Sequence, residues 1–216
     1  MDTLQKKRIA VVMLFYMINF GLWELVAPVI TPEWASFAVY VLLFIIVTLM
    51  FWDEMRSEWN EFKAGVFTGK GFKLSLAATL VIELLLSGAV IFIASKWCPI
   101  IMPENNENVK SQMAAVPVFL SVFQGCVFAP VIEEMTFRYG IINKPESKKS
   151  LIKLALISIV LFDVFHIARF PEFFYYLVPS VVLTLFYSKY RNVFASIVLH
   201  SLINVVGYAA LLTGIL

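Results

Sequence analysis

The sequence predicts an all-α fold, a polytopic bundle of transmembrane helices, on two observations. Of 216 residues, 61% are hydrophobic and only 15% charged, against roughly 45–50% and ~25% in an ordinary soluble domain. Too few polar residues remain to cover a water-facing surface. The apolar residues are also gathered into runs that can cross ~30 Å of hydrocarbon, which takes about 20 helical residues at ~1.5 Å each. The net charge of +2 is scattered, so no basic stripe exists to follow a phosphate backbone, and nucleic acid drops out as a partner. Cys98 and Cys126 cannot build a disulfide framework.

Seven runs qualify, at residues 9–30, 34–52, 72–95, 116–143, 151–169, 173–188 and 193–216. The first follows Lys6, Lys7 and Arg8 like a signal peptide, but it is longer than such a segment and has no cleavage site. It reads as a retained anchor. Residues 53–71 place Met55, Trp59, Phe62 and Val66 every three or four positions among charges. That pattern suits an interfacial helix after the second span, serving as a connector. Residues 96–112, with Pro99, Pro103 and Asn105-Asn106, read as an external loop. The sixth run is short and holds Pro179, which predicts a tilted, broken or re-entrant segment. There is no internal repeat, so residues 1–216 read as one integral membrane domain.

The Lys and Arg distribution orients the chain. One side collects Lys6, Lys7, Arg8, Arg56, Lys63, Lys70, Lys73, Arg138, Lys144, Lys148, Lys149, Lys153, Lys189 and Arg191; the other has Lys96, Lys110 and Arg169. This bias places the N-terminus in the cytoplasm and the C-terminus outside, in a multi-pass cell-membrane protein.

Ionisable residues inside a span cost at least ~2.5–3.5 kcal/mol on insertion scales, so each is a functional candidate. They cluster at Glu133-Glu134 and Arg138, at Phe162-Asp163 and His166, and at His200 and Asn204. Glu134 and Arg138 are four apart and share a helix face, whereas Glu133 points ~140° away from Arg138. Glu134 is therefore the ion-pair partner, and Glu133 is free to face another helix as a general base. His200 and Asn204, also four apart, share a face. At ~1.5 Å per residue, Glu133, His166 and His200 lie ~13–22 Å from the cytoplasmic ends of their runs, within one depth range. The expected cavity would be reached by water from the cytoplasmic side.

These stretches resemble the CAAX prenyl endopeptidase and bacteriocin-processing (CPBP, or abortive-infection) family of intramembrane glutamic proteases, whose signature is EExxxR, FxxxH and HxxxN or HxxxD. Glu133-Glu134 with Arg138, Phe162 with His166, and His200 with Asn204 fill it in order within residues 116–216. The resemblance implies an endopeptidase that cleaves a membrane-associated peptide or protein with no cofactor. It implies that Glu133, helped by His166, activates a water, and that His200 and Asn204 hold the oxyanion. Glu134, Arg138 and Phe162 would support them. The compact chain resembles the bacterial branch, linked to bacteriocin or pheromone processing and self-immunity, more than the longer eukaryotic members.

Other readings carry different expectations. A catalytically silent relative would bind and regulate a membrane partner, although no motif residue is missing. Glu133, His166 and His200 could supply three ligands to a zinc ion, although HExxH is absent. A transporter would use Asn19, Glu24 or Glu83, although the chain shows no repeated broken helices. Glu24 and Glu83 are read as paired or neutral within the bundle. Asp163 either orients His166 or hydrogen-bonds across helices. Cys126 reads as a small buried hydrophobe.

Overall fold

The computed structural model describes residues 2–97, 103–143 and 145–214, and their regular structure is helical with no strand. Six helices are long and apolar enough to cross a membrane: α1 (Thr3–Val26), α2 (Pro32–Met50), α4 (Phe72–Ala94), α6 (Val118–Ile142), α8 (Phe170–Tyr190) and α9 (Val193–Thr213). Between them lie α3 (Trp52–Glu61), α5 (Glu104–Ala115) and α7 (Lys148–His166).

Helix starts follow the local sequence. Asp2 and Gln5 form a capping box on α1, Thr31 caps α2 ahead of Pro32, Ser147 caps α7, and the Asn192 carboxamide accepts from the Phe194 and Ala195 amides at the start of α9. Each cap satisfies backbone donors that have no partner within the first turn.

The fifth run is the 19-residue helix α7; Lys148, Lys149, Lys153 and Asp163 make it more polar than the six apolar spans, and with it the bundle agrees with the expected seven or so. It ends at His166, where Ile167 turns extended (φ −103°, ψ 123°). The sixth run is a continuous helix through Pro179 rather than a broken one, because a bundle can satisfy the backbone group that proline frees. The expected external loop contains the helix α5; the Pro and Asn residues mark its start rather than an irregular course. Cys98 and the remainder of that loop to residue 102, Lys144, and the last two residues of the seventh run lie outside the described residues.

The segment after the second span is helical, as its periodicity indicates, but it does more than connect. The Glu58 carboxylate accepts from the Val193 amide at 3.0 Å, and the Glu58 carbonyl accepts from Asn192 Nδ2 at 2.8 Å. An acid at a helix N-terminus is favourable there, and α3 thereby fixes the start of α9. Trp59 packs on Phe194 at 5.0 Å beside it.

Helix α6 is the centre of the bundle. Every residue from Ala129 to Gly140 is buried, whereas α4 fully buries only Phe72, Glu83 and Ala94. The main core gathers Phe15, Leu43, Ile132, Phe137 and Phe162 from four helices. Large apolar side chains such as Leu25, Leu49, Leu74 and Leu85 remain exposed, the outward face that lipid would cover. The outer helices thus hold α6, and its charged residues, away from lipid.

Candidate active site

The candidate residues come from α6, α7 and α9, and the structure brings them together. Helix α6 widens to five-residue hydrogen-bonded turns at Gln124–Phe128 and again at Glu134–Tyr139. Such turns are frequent at functional sites because they displace side chains from the regular helical track. The second one starts at the glutamate pair.

Glu134 and Arg138 form the expected ion pair, with Oε1 and Nη1 at 3.2 Å and both side chains fully buried. The same Glu134 Oε1 stands 2.9 Å from Nδ1 of His200. The guanidinium is held further by a hydrogen bond from Nη2 to the Ser180 carbonyl at 3.3 Å, and its Cζ lies 4.5 Å from the Phe162 ring centroid. A charge at this depth needs such company, because a buried unpaired ion is strongly destabilising.

Glu133 faces the other way. Its Oε2 lies 3.7 Å from Nε2 of His166 and 3.7 Å from Nε2 of His200. Both separations exceed a direct hydrogen bond. That oxygen is buried and has no hydrogen-bond partner. Nδ1 of His166 is 2.8 Å from the Phe162 carbonyl. A carbonyl only accepts, so Nδ1 carries a proton, and in the neutral ring Nε2 turns a lone pair toward Glu133. By the same logic His200 donates through Nδ1 to the Glu134 carboxylate. Phe162 stacks on His166 with centroids 4.3 Å apart and fixes its plane. Asp163 does not touch the His166 ring nitrogens; it faces Ser180 and Arg138, which resolves its two expected roles in favour of a cross-helix contact.

Asn204 donates from Nδ2 to the Gly125 carbonyl at 2.7 Å. An amide has two N–H groups, so one remains for another acceptor. This contact depends on Gly125, where a Cβ would run into the Tyr208 ring.

Glu133, His166, His200 and Asn204 line one cavity of about 740 Å³. Its other walls come from Pro32 and Glu33 of α2, Pro103, Glu104, Ser111 and Gln112 at α5, Tyr175 and Tyr176 of α8, and the last half of α9. All of these belong to the end of the bundle opposite Lys6–Arg8, α3 and Lys148. The lining thus gathers toward the end opposite the one from which access was expected, while at the lysine-rich end Trp59, Phe62 and Phe194 pack on one another. At the open end, Glu172 ties the mouth together. Its carboxylate accepts from the Glu104 amide at 3.0 Å and the Ala168 amide at 2.8 Å, and pairs with Arg169 Nε at 2.7 Å.

Several site residues are not marked in the sequence. Gly125 is a lone glycine in an apolar run, and Tyr176, 5.0 Å from His166 between ring centroids, is one aromatic among many. Glu172 follows a proline at a helix start, an acid in a first turn with no motif around it. Conversely, Glu24 is exposed near the end of α1, not within the bundle, and Asn19 bonds back to the Phe15 carbonyl at 2.9 Å. Cys126 is free and buried, as expected of a small hydrophobe. Among the described residues, no three His, Cys, Asp or Glu side chains are drawn close enough to hold a metal ion as they stand.

Residues 115–206 match the family model described as Type II CAAX prenyl endopeptidase Rce1-like. The matched stretch contains every residue of the three motifs, from Glu133 to Asn204, so the family resemblance is borne out over that part of the chain. The match does not distinguish a bacterial branch. No curated protein and no solved structure matches the chain.

Proposed function

We propose that this protein is an intramembrane endopeptidase that hydrolyses a peptide bond of a membrane-associated peptide or protein with water activated by Glu133. The observation that carries this reading is one atom: a buried carboxylate oxygen 3.7 Å from Nε2 of both histidines, at the floor of a cavity. A water held between Glu133 and the lone pair of His166 has two proton acceptors and a free oxygen lone pair. That oxygen attacks the substrate carbonyl carbon while its proton moves to Glu133. The negative charge on the carbonyl oxygen meets the second N–H of Asn204 and a protonated His200, whose cation Glu134 balances through Nδ1. When the C–N bond breaks, Glu133 returns the proton to the leaving amine. No protein nucleophile and no covalent intermediate are needed.

Access through the lysine-poor end gives the substrate a side. With the N-terminus in the cytoplasm, as the Lys and Arg bias indicates, the mouth faces away from the cytoplasm. Exported peptides and the outer segments of membrane proteins are then the reachable substrates, in keeping with peptide processing or self-immunity in a bacterial membrane. A cytoplasmic prenylated tail would arrive at the opposite, lysine-rich end.

A second reading uses the same three atoms. Both Nε2 lone pairs are directed by hydrogen bonds at Nδ1, the usual support of a zinc-bound histidine, and a small inward shift of Glu133, His166 and His200 would make three ligands. The metal-free mechanism is favoured because the side chains stand apart and Glu133 is then free to accept a proton. The test is cleavage of hydrophobic peptides by purified protein in H₂¹⁸O. One ¹⁸O in the new carboxylate, with wild-type activity unaffected by a strong chelator, is the expected result. Loss of cleavage on chelation, restored by zinc, would establish the metal reading instead.

A further inference from the structure

We infer that Glu83 forms a subsite for a cationic side chain, Lys or Arg, of the peptide bound in the cavity; this rests on the proteolytic reading above. Helix α4 is the most lipid-facing span, and of its 23 residues only Phe72, Glu83 and Ala94 are buried. Leu76, Leu80 and Val90 pack partly buried against the core, but Phe72 and Ala94 lie at the helix ends, so the single fully buried residue at mid-helix is a glutamate with 2% of its surface exposed. Packing alone would select an apolar residue there, since an ionisable group at that depth is costly.

The carboxylate is half satisfied. Ser87 Oγ donates to Oε1 at 2.8 Å, while Oε2 is buried with no hydrogen-bond partner. Both Glu83 and Ser87 line the cavity that holds Glu133. Among the described residues the charged groups along that cavity are Glu33, Glu83, Glu104 and Glu133, and no Lys or Arg joins them. Arg138, a cation fully buried in the bundle, is engaged by Glu134. The two histidines of the wall stand beside Glu133, so Glu83 has no Lys or Arg counter-charge from the wall itself. A basic side chain entering with the substrate would supply it, and Glu83 is the acid placed to receive one within a low-dielectric wall, where a charge pair is strong. Leu84, Ile91 and Ile203 line the same cavity, apolar surface that suits the methylene stem that Lys and Arg bring with their charge.

The test reads binding, so it does not depend on turnover. Dye-labelled hydrophobic peptides, identical except for Lys or norleucine scanned through each position, are titrated onto the full chain in a neutral detergent. The Glu133→Gln background keeps the peptides intact. At one position the Lys peptide is expected to bind at least tenfold more tightly than its norleucine twin. Adding Glu83→Gln, which preserves shape and the Ser87 contact, is expected to bring that ratio within twofold of one. Glu83→Lys is expected to turn the preference toward a Glu peptide at the same position. Equal binding of Lys and norleucine peptides at every position, or a Lys preference that survives Glu83→Gln, overturns the subsite. Loss of the subsite with cleavage by the wild type intact leaves the proteolytic reading standing. Selective binding with no cleavage by the wild type overturns that reading and leaves a cation-recognising binding cavity.

Discussion

Glu134 Oε1 lies 2.9 Å from Nδ1 of His200 and 3.2 Å from Nη1 of Arg138, so one buried oxygen fastens the motif of α6 to the motif of α9. The two adjacent glutamates thereby take different work. Glu134 is consumed by structure and by orienting an imidazole, while Glu133 keeps an oxygen open to the cavity. The same division was legible from their angular separation on a helix.

Removing one partner of the buried pair should be far worse than removing both. Arg138→Met is expected to lower stability by about 3–5 kcal/mol, because it strands the Glu134 charge. The double variant Glu134→Gln/Arg138→Met should recover a large part of that loss. Thermal unfolding in detergent, arranged as a double-mutant cycle, checks this; strictly additive losses would show that the two side chains do not act as a pair.

Both histidines should carry their neutral-state proton on Nδ1, given the Phe162 carbonyl at 2.8 Å and the Glu134 carboxylate at 2.9 Å. The chain has only two histidines, so ¹⁵N-histidine labelling and long-range proton–nitrogen correlation can assign each ring. A proton on Nε2 of His166 would remove the acceptor proposed for the attacking water.

Asn204→Ala should lower kcat by about 10²–10³ with little change in KM, the usual loss for one oxyanion donor. Gly125→Ala is expected to reproduce part of that loss and to destabilise by about 1–3 kcal/mol, because its Cβ overlaps the Tyr208 ring. Combining it with Tyr208→Ala should restore stability. Steady-state kinetics with thermal unfolding separates the two effects, and a Gly125→Ala protein that is stable and fully active would contradict the close approach.

The orientation predicts which side reacts. In a Cys98→Ser/Cys126→Ser background, Glu107→Cys on α5 should be labelled in intact cells by a membrane-impermeant maleimide. Ser57→Cys on α3 should be labelled only after permeabilisation; both positions are exposed. The reverse pattern would place the cavity mouth in the cytoplasm and make cytoplasmic substrates reachable.

Much of this arrangement is written in the sequence, and the reasons are physical. Spans announce themselves by length and apolarity, and an acid or histidine within one is rare enough to mark the site, as Glu133, His166 and His200 do. Glu58 and Glu172 are different, since their value lies in backbone amides of α9 and α5 that only the folded chain brings near. Gly125 is invisible for a related reason: its carbonyl and its missing Cβ matter through Asn204 and Tyr208, which are 79 and 83 residues away in the chain. The direction of access failed because depth arithmetic locates a group along a helix but says nothing about which end its neighbours close. Here Trp59, Phe62 and Phe194 pack together at the lysine-rich end, and the cavity's lining reaches the polar residues of α5 at the other.

The most direct test is single-turnover cleavage of one hydrophobic peptide by wild type and by Glu133→Gln, with folding of both shown by thermal unfolding. Loss of about 10²–10⁴ in rate, the range of a general base, with peptide binding retained, is the result expected if Glu133 activates the water. A Glu133→Gln enzyme that cleaves within tenfold of wild type would contradict that role and remove the central step of the mechanism.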